Sequence, residues 1–500
     1  MPDRPGSGAP ISASGTVHWV GTGMSTGPSG LRLLCNRAER VVLWDRTAER
    51  AVERLAALGL AGRAEVRALD DRALDGAVRA GDVVVSMLPA AEHPRLLRLS
   101  VQRQAHFACT SYVSDAIAEQ VPAAGEAGVV VLTEAGLDPG IDHLMAHQLV
   151  ARAQEAVGDE AESVDFTSYC GGIPAVPNDF RYRFSWAPFG VLAALGSPAR
   201  HIDHGAERVS PRPWEAVRTH RLGGEDFEVY PNRDSLPFAA QYGIPDGWRL
   251  RTFVRGTLRN AGWRAAWSEV FDTVNSGDQQ RIRSLAKELA VRYPTTDADR
   301  DRVVLSVALD VRAAGGERWQ GAYLLDLTGD ETESAMARCV SLPLAYGVTR
   351  ILAGALPAGL SRGAESAAEA DRWTDFLHAN GLRSVHSSTV STPGRRGPDT
   401  AGAEPRRPEA RRHRRTRHGR VRHARTPDVH TCDPHTRHVH VHHARTVTYA
   451  PVMRPPPVRH PRCTHQRHPP KERPDQWNTR HSGLIPRTTA ASESAWDRPT

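Results

Sequence analysis

Residues 16–47 read TVHWVGTGMSTGPSGLRLLCNRAERVVLWDRT. A β-forming run passes through a glycine-rich turn into apolar residues at helical spacing, then into a second apolar run closed by polar residues. Such a chain buries both strands most simply as a right-handed parallel crossover unit. The helical period continues in AERAVERLAALGL (48–60). Short, fully apolar strands then follow at EVRAL (65–69), DVVVSMLP (82–89), HFACTSY (106–112) and GVVVLTEAGLDPG (128–140), with helical segments between them. Continuous apolar strands alternating with helices require a parallel sheet covered on both faces. Residues 16–142 are therefore expected to form a Rossmann-like, doubly wound α/β domain that binds a dinucleotide.

Beyond Asp142 the pattern changes. ESVDFTSYC (162–170), DFEVYP (226–231), WRLRTFVRGTLR (248–259), RVVLSVALDV (302–311) and WQGAYLLDL (319–327) are longer β runs with few helices between them. They predict a second α/β domain over 143–332, for substrate, with a mainly antiparallel sheet. A long buried helix (333–354) and a last amphipathic one (369–382) form a C-terminal segment, 333–390, expected to pack back on the first domain. That last helix is predicted to end the globular part.

From about residue 392 to 500 the chain turns into an Arg-, His- and Pro-rich tail. From Pro393 onward it carries 23 Lys and Arg against 9 Asp and Glu, so the overall charge of +7 divides into about +14 for the tail and −7 for the rest. Such a segment buries too little apolar surface to offset its ordering entropy and is expected to be disordered. HVHVHH (438–443) has the composition of a divalent-metal binder and the arginines that of a nucleic-acid binder. The abrupt break also resembles a frame-shifted reading of GC-rich coding DNA.

No run nears the ~18 apolar residues of a membrane span, and MPDRPGSGAPISASG lacks an apolar signal core, so a cytoplasmic location is expected. Six cysteines without CxxC spacing fit reduced thiols.

In the first turn, Gly21 and Gly23 allow the backbone to tighten and approach a pyrophosphate, although Thr26 stands where a third glycine is usual. Asp45 ends the second strand, where a carboxylate accepts from ribose hydroxyls and favours NAD; Arg46 and Thr47 beside it suit a 2′-phosphate instead. Asp45 is equally suited to cap a helix. SMLPAAEHP (86–94), TSYVSDA (110–116) and TEAGLDPGIDH (133–143) lie at the carboxyl edge of the predicted sheet, where ligands bind in such folds, though each is also an ordinary turn or cap.

VVVSMLP, TSYVSDA, EAGLDPGIDHLMA, SYCGGIPA, YRFSWAPFGVLAAL, YPNRDS, VRGTLRNAGW and VSLPLAYGVTRIL occur in the order found in saccharopine dehydrogenases of the glutamate-forming kind, also called saccharopine reductases, and the chain resembles that family from about Val17 to Leu382. The resemblance implies NADP- or NAD-dependent oxidation of saccharopine to L-glutamate and 2-aminoadipate 6-semialdehyde, or the reverse, in lysine metabolism. The nucleotide would meet Met24, Ser25, Thr26, Gly27, Asp45, Arg46, Thr47, Asp70, Asp71, Cys109, Thr110, Leu137, Asp138, Pro139 and Trp186. The substrate would meet Ser111, Tyr112, Asp138, Arg233, Thr257, Leu258 and Arg259, with Asp138 facing its amine. Asp138, Tyr112 and Cys170 are the candidate catalytic groups, although packing is the preferred reading of Cys170 and His143, and the glycines beside Cys170 would let backbone approach a ligand. No metal is expected.

Members of the family read CRT where this chain has Asp45-Arg46-Thr47, Pro-Glu where it has Val176-Pro177, and Ser where it has Ala187. Eukaryotic members insert a small helical domain after the RGTLR strand; with about 40 residues available (264–304), that domain is abbreviated or absent here. Two other readings stand beside this one: a related enzyme coupling an aldehyde reductively to another amine, such as a carboxylated polyamine, and a nucleic-acid- or metal-binding protein acting through the tail. The first reading expects a small amino-acid substrate, no nucleic-acid or membrane partner, and is compatible with a homodimer.

Overall fold

The computed structural model describes residues 9–296 and 298–391. The basic segment 392–500, with its predicted disorder and its metal and nucleic-acid readings, lies outside the described residues.

The chain opens as β1 (Thr16–Val20), α1 (Pro28–Arg37), β2 (Arg40–Asp45), α2 (Ala48–Ala57), β3 (Glu65–Ala68), α3 (Asp71–Ala77), β4 (Val83–Ser86), α4 (His93–Gln102) and β5 (His106–Cys109). It continues through α5 (Asp115–Ala118), α6 (Val121–Glu126), β6 (Val130–Leu132) and α7 (Ile141–Val157). The strands pair in parallel in the order β15-β6-β5-β4-β1-β2-β3, where β15 (Gly359–Ser361) arrives from far along the chain. The order reverses between β1 and β4, which opens a crevice at the carboxyl ends of those strands. Trp19, Leu43, Val85 and Ala108 are fully buried, as strands covered on both faces require.

The second sheet is built from β7 (Ala161–Pro174), β8 (Ala199–Asp203), β9 (Ala206–Ser210), β10 (Arg218–Leu222), β11 (Glu225–Pro231), β12 (Trp248–Asn260), β13 (Asp301–Arg312), β14 (Arg318–Thr328) and β16 (Val385–Ser391). Its main path is β10-β11-β12-β7-β13-β14-β16. It is antiparallel apart from the β12–β7 pair, which is parallel and sets Thr257 opposite Cys170. The helices on this side are α8 (Pro188–Leu195), α9 (Pro237–Gln241), α10 (Trp263–Ala266), α11 (Ser268–Asn275) and α12 (Gln279–Arg292). The last three form a helical insert after β12, at the place where an abbreviated or absent domain was expected. They bury Trp263, Trp267 and Phe271 against Phe180, Tyr182 and Phe184. α13 (Ala335–Leu352) and α14 (Ala367–Ala379) complete the described helices.

Several sequence expectations change. The strand predicted over 128–140 stops at Leu132, because Glu134 takes φ +51 and the Asp-Pro-Gly turn follows. The strand predicted over 106–112 stops at Cys109. The helix at 369–382 does not end the described fold, since β16 adds to β14 at the sheet edge.

α7 is buried on nearly every face, as a helix enclosed by other elements must be. It lies against β13 and β14 on one side and α14 on the other. α13 packs on α1 at Gly30, where a Cβ would stand 2.4 Å from the Ser341 carbonyl oxygen. The obstacle is backbone and cannot rotate aside. Gly30→Ala is therefore expected to lower stability by about 1–3 kcal/mol. Gly125→Ala on α6, whose added Cβ meets nothing nearer than 3.8 Å, is expected to be neutral or stabilising by about 0.5–1 kcal/mol. Urea midpoints of the two variants check the contrast.

Candidate active site

The glycine turn leaves β1 at Gly21, whose φ is +101 and whose missing Cβ would touch the Leu88 side chain and Met87 backbone at 3.0–3.1 Å. Gly23 faces open space, and the N–H groups of Gly23, Met24 and Ser25 have no partner among the described residues. Converging free N–H groups before a helix suit a pyrophosphate, so these residues fit the dinucleotide the fold implies. Thr26 is buried and turned inward, its hydroxyl donating to the Gly21 carbonyl at 3.2 Å. Gly27 faces protein instead: Glu333 occupies the place of its Cβ and accepts from the Ser29 hydroxyl at 2.8 Å. Glu333 lies 304 residues from Ser29 and was not expected.

Asp45, at the end of β2, accepts from the Thr22 hydroxyl and from the N–H of Arg46 at 2.6 Å; Arg46 and Thr47 are exposed beside it, Thr47 capping α2. Asp70 caps α3, and Asp71 pairs with Arg95 at 2.5 Å. Two positions expected at the nucleotide turn away from it. Cys109 is buried in the core, with its thiol pushed up to about 12 by burial, and the Leu137 side chain is likewise in the core, leaving only backbone. Thr110 packs against Gly136, and Pro139 is buried after a cis Asp138–Pro139 bond.

A buried ionic cluster ties β12 to the start of α7 and to the loop after β5. Nη2 of Arg255 donates to Asp138 Oδ1 at 2.7 Å, Asp142 Oδ2 at 2.5 Å and the Tyr112 hydroxyl at 3.0 Å, and Tyr112 donates to the same Asp138 oxygen at 2.7 Å. The guanidinium also sits 4.0 Å over the Phe238 ring. Burial and the Asp142 charge raise the proton affinity of Asp138, while Arg255 and the Tyr112 hydroxyl oppose them. Burial likewise keeps Tyr112 protonated far above the ordinary phenol range. Sequence reasoning missed Arg255, yet the signal was there: in Phe-Val-Arg-Gly-Thr-Leu-Arg (253–259), Arg255, Thr257 and Arg259 alternate on one strand face.

Arg259 is buried and meets no carboxylate among the described residues. It stands 5.0 Å from the Tyr182 ring, 5.7 Å from Trp263 and 5.9 Å from Tyr230, and its Nη1 donates to the Leu258 carbonyl at 3.0 Å. Its Nε is buried without a hydrogen-bond partner. A desolvated guanidinium without a counter-anion is costly, and one buried donor of this one, Nε, is left unpaired. Leu258 itself points into the opposite core. Arg233, at φ +56, is exposed and lies 5.2 Å over the Tyr112 ring, so it borders the cluster from the solvent side. Ser111 accepts or donates at 2.9 Å to His93, which reaches Ser86 at 2.8 Å; burial holds His93 at about 4, and hence neutral.

Cys170 lies between the two charge clusters. Burial and the charges of Asp138 and Asp142 push its thiol well above the ordinary range, against the pull of Arg259, so it is a neutral thiol. The neighbouring glycines serve protein rather than ligand, a correction to the expectation: a Cβ on Gly171 would stand 2.2 Å from the Leu258 carbonyl oxygen, and one on Gly172 2.6 Å from Met336. Trp186 is half-buried, packed between the main core and the insert.

Glu134 ties the rim together. Its N–H donates to the Ser111 carbonyl at 3.1 Å and its carboxylate accepts from Val113 N–H at 3.3 Å, so it clips the chain on both sides of Tyr112. The carboxylate also meets His143 at 3.2 Å, Gln241 at 3.0 Å and Arg362 at 3.4 Å. His143 further contacts the Tyr242 hydroxyl at 2.9 Å.

Comparison with known proteins gives a consistent result. The family model described as the saccharopine dehydrogenase NADP binding domain matches residues 17–132, and that described as the saccharopine dehydrogenase C-terminal domain matches 136–380. The NADP(+), L-glutamate-forming saccharopine dehydrogenase of Pyricularia oryzae is 35% identical over 257 residues, 50% of this chain and 56% of that protein. The protein of the same name from Saccharomyces cerevisiae is 38% identical over 200 residues, 39% of this chain and 44% of that one. The matches thus span about half the length of these relatives. The solved structure of apo histidine-tagged saccharopine dehydrogenase (L-Glu forming) from Saccharomyces cerevisiae superposes with a TM-score of 0.63 at 26% identity, over 75% of this chain and 99% of that one.

Although burial alone would raise it, hydrogen bonding and charge from His143, together with Gln241 and Arg362, hold Glu134 at about 2, below the usual carboxylate value near 4.5. A depressed native value stabilises the fold above the unfolded value and loses that contribution as pH falls through the native one, here about 3 kcal/mol between pH 4.5 and 2. In guanidinium titrations over that range, the unaltered chain is expected to lose stability more steeply than Glu134→Gln; equal slopes would contradict the assignment.

Proposed function

Because the chain belongs to the saccharopine dehydrogenase family, we propose that it is an NAD(P)-dependent oxidoreductase that oxidises saccharopine to L-glutamate and 2-aminoadipate 6-semialdehyde, or runs the reverse condensation, in lysine metabolism. The observation that carries this reading is Arg259, a buried guanidinium whose Nε has no hydrogen-bond partner and which meets no carboxylate among the described residues, on the strand face it shares with Thr257 and Arg255. Saccharopine has three carboxylates and two nitrogens, and such a ligand needs cationic forks. Arg259 offers a fork from inside and Arg233 one from the solvent side, while Arg255 is spent on Asp138 and Asp142. The cluster therefore presents both signs of charge, as a zwitterionic amino acid requires.

The nicotinamide, when bound, supplies the hydride acceptor, and the protein's task is to orient the substrate and manage protons. Oxidation removes a hydride from the lysyl-derived carbon and a proton from the secondary amine, and water then adds across the C=N bond to release glutamate. Asp138 faces the amine as its counter-charge. Tyr112, protonated and hydrogen-bonded to Asp138, fixes that carboxylate's orientation. Cys170 lines the pocket as a neutral thiol. Ser111, oriented by neutral His93, offers a hydroxyl at the rim. The division into 16–142, 143–332 and 333–390, a cytoplasmic location and a homodimeric assembly belong to the same reading. Among the described residues no helix is long and apolar enough to cross a membrane.

Initial-rate oxidation of saccharopine with NAD and with NADP tests the reading. Turnover with at least one cofactor is expected. Arg233→Ala and Arg259→Ala should each lower kcat/KM by roughly ten- to a hundred-fold, the loss of about 1.5–3 kcal/mol from a charge-assisted pair. No cofactor reduction, or unimpaired variants, would refute the substrate.

A further inference from the structure

Asp45 stands at the carboxyl end of β2 beside the glycine turn, with 7% of its surface exposed. Its Oδ1 accepts the Arg46 N–H, and its Oδ2 accepts the Thr22 hydroxyl and, at 3.1 Å, Nε of Arg50. Burial favours the protonated form, but the Thr22 hydroxyl, the Arg46 N–H and Arg50 outweigh it and hold the group below the usual range, so it is anionic at neutral pH. A carboxylate has about four acceptor positions. Three are filled here, and one on Oδ1 remains for an incoming hydroxyl.

The end of this strand is where the adenosine ribose lies in a doubly wound dinucleotide fold. We propose that this chain selects NAD over NADP and that Asp45 decides the choice, although the family model and the relatives carry NADP in their names. The inference rests on the dinucleotide reading of the glycine turn and deepens it. A free 2′-hydroxyl donates to the open acceptor. A 2′-phosphate brings roughly −1.5 to −2 charge against a fixed, buried anion and offers it no donor. The nearby cations do not reverse this balance. Arg46 and Arg50 are exposed, where water screens their pull; Arg50 is already the partner of Asp45, and Arg54 donates to the Thr26 carbonyl at 3.0 Å.

Calorimetric titration of the full chain with NADH and with NADPH, paired with the rise in melting temperature each produces, tests the choice without any turnover. NADH is expected to bind at least ten-fold more tightly. Asp45→Ser is expected to close that gap by at least ten-fold, weakening NADH and strengthening NADPH. NADPH binding as tightly as NADH in the unaltered chain, or a ratio that folded Asp45→Ser leaves unmoved, overturns the proposal. Should the variant not fold, the ratio in the unaltered chain decides alone. Binding of neither nucleotide overturns the dinucleotide reading itself, whereas NADPH bound alone overturns only the selectivity.

Discussion

A single nitrogen of Arg255 joins the two sheets. It comes from the middle of β12 and donates to Asp138 and Asp142 at the start of α7 and to Tyr112 beyond β5. The arginine is 3% exposed and Asp142 fully buried, so neither charge has water to fall back on. Such a cluster need not stabilise a fold beyond what apolar packing would achieve, but breaking it strands a charge and costs about 3–5 kcal/mol. Its effect is therefore to enforce geometry: the loop with Asp138 and the loop with Tyr112 can hold only the positions that satisfy the guanidinium.

That constraint fixes the loops that border the proposed site. The glycine turn after β1 carries N–H groups without partners among the described residues, and the arginine cluster fixes the Asp138 carboxylate. β12 continues past Arg255 to Thr257 and Arg259, so the strand that anchors the cluster also carries the guanidinium that meets no carboxylate among the described residues. The helical insert α10–α12 closes the far side, with Trp263 against Arg259. Glu134 then locks the rim by gripping the chain before and after Tyr112.

The first sheet was legible in the sequence because most of its strands are short, largely apolar and separated by helices, a pattern few other folds accept. Helix α13 and the long strands of the second sheet showed through as long runs of apolar and β-forming residues. What escaped was whatever depends on distant pairing. β15 is three residues long and gains its identity only beside β6. β8, β9 and β10 are polar on their exposed faces, and their burial patterns carry no clean alternation. At the proposed site, the glycine turn, Asp45, Asp138 and the VRGTLR strand were picked out by local motif and family resemblance. Alternation with Thr257 and Arg259 put Arg255 on the same strand face, but its role depends on its partners, and Asp138 and Asp142 lie over a hundred residues away. Glu333 was hidden in the same way, and the role of Gly171 became clear only from the neighbouring backbone.

The account stands on Arg255 acting as the fixed counter-ion of Asp138 within a working substrate pocket. The most direct test is the pH dependence of kcat/KM for saccharopine in the unaltered chain, Arg255→Gln and Arg255→Lys, each first verified as folded by thermal denaturation. Removing the cation makes Asp138 hold its proton more strongly, so the acid limb of the Arg255→Gln profile should move to higher pH, and Arg255→Lys should bring it part of the way back. A folded Arg255→Gln protein whose profile superimposes on that of the unaltered chain would contradict the account.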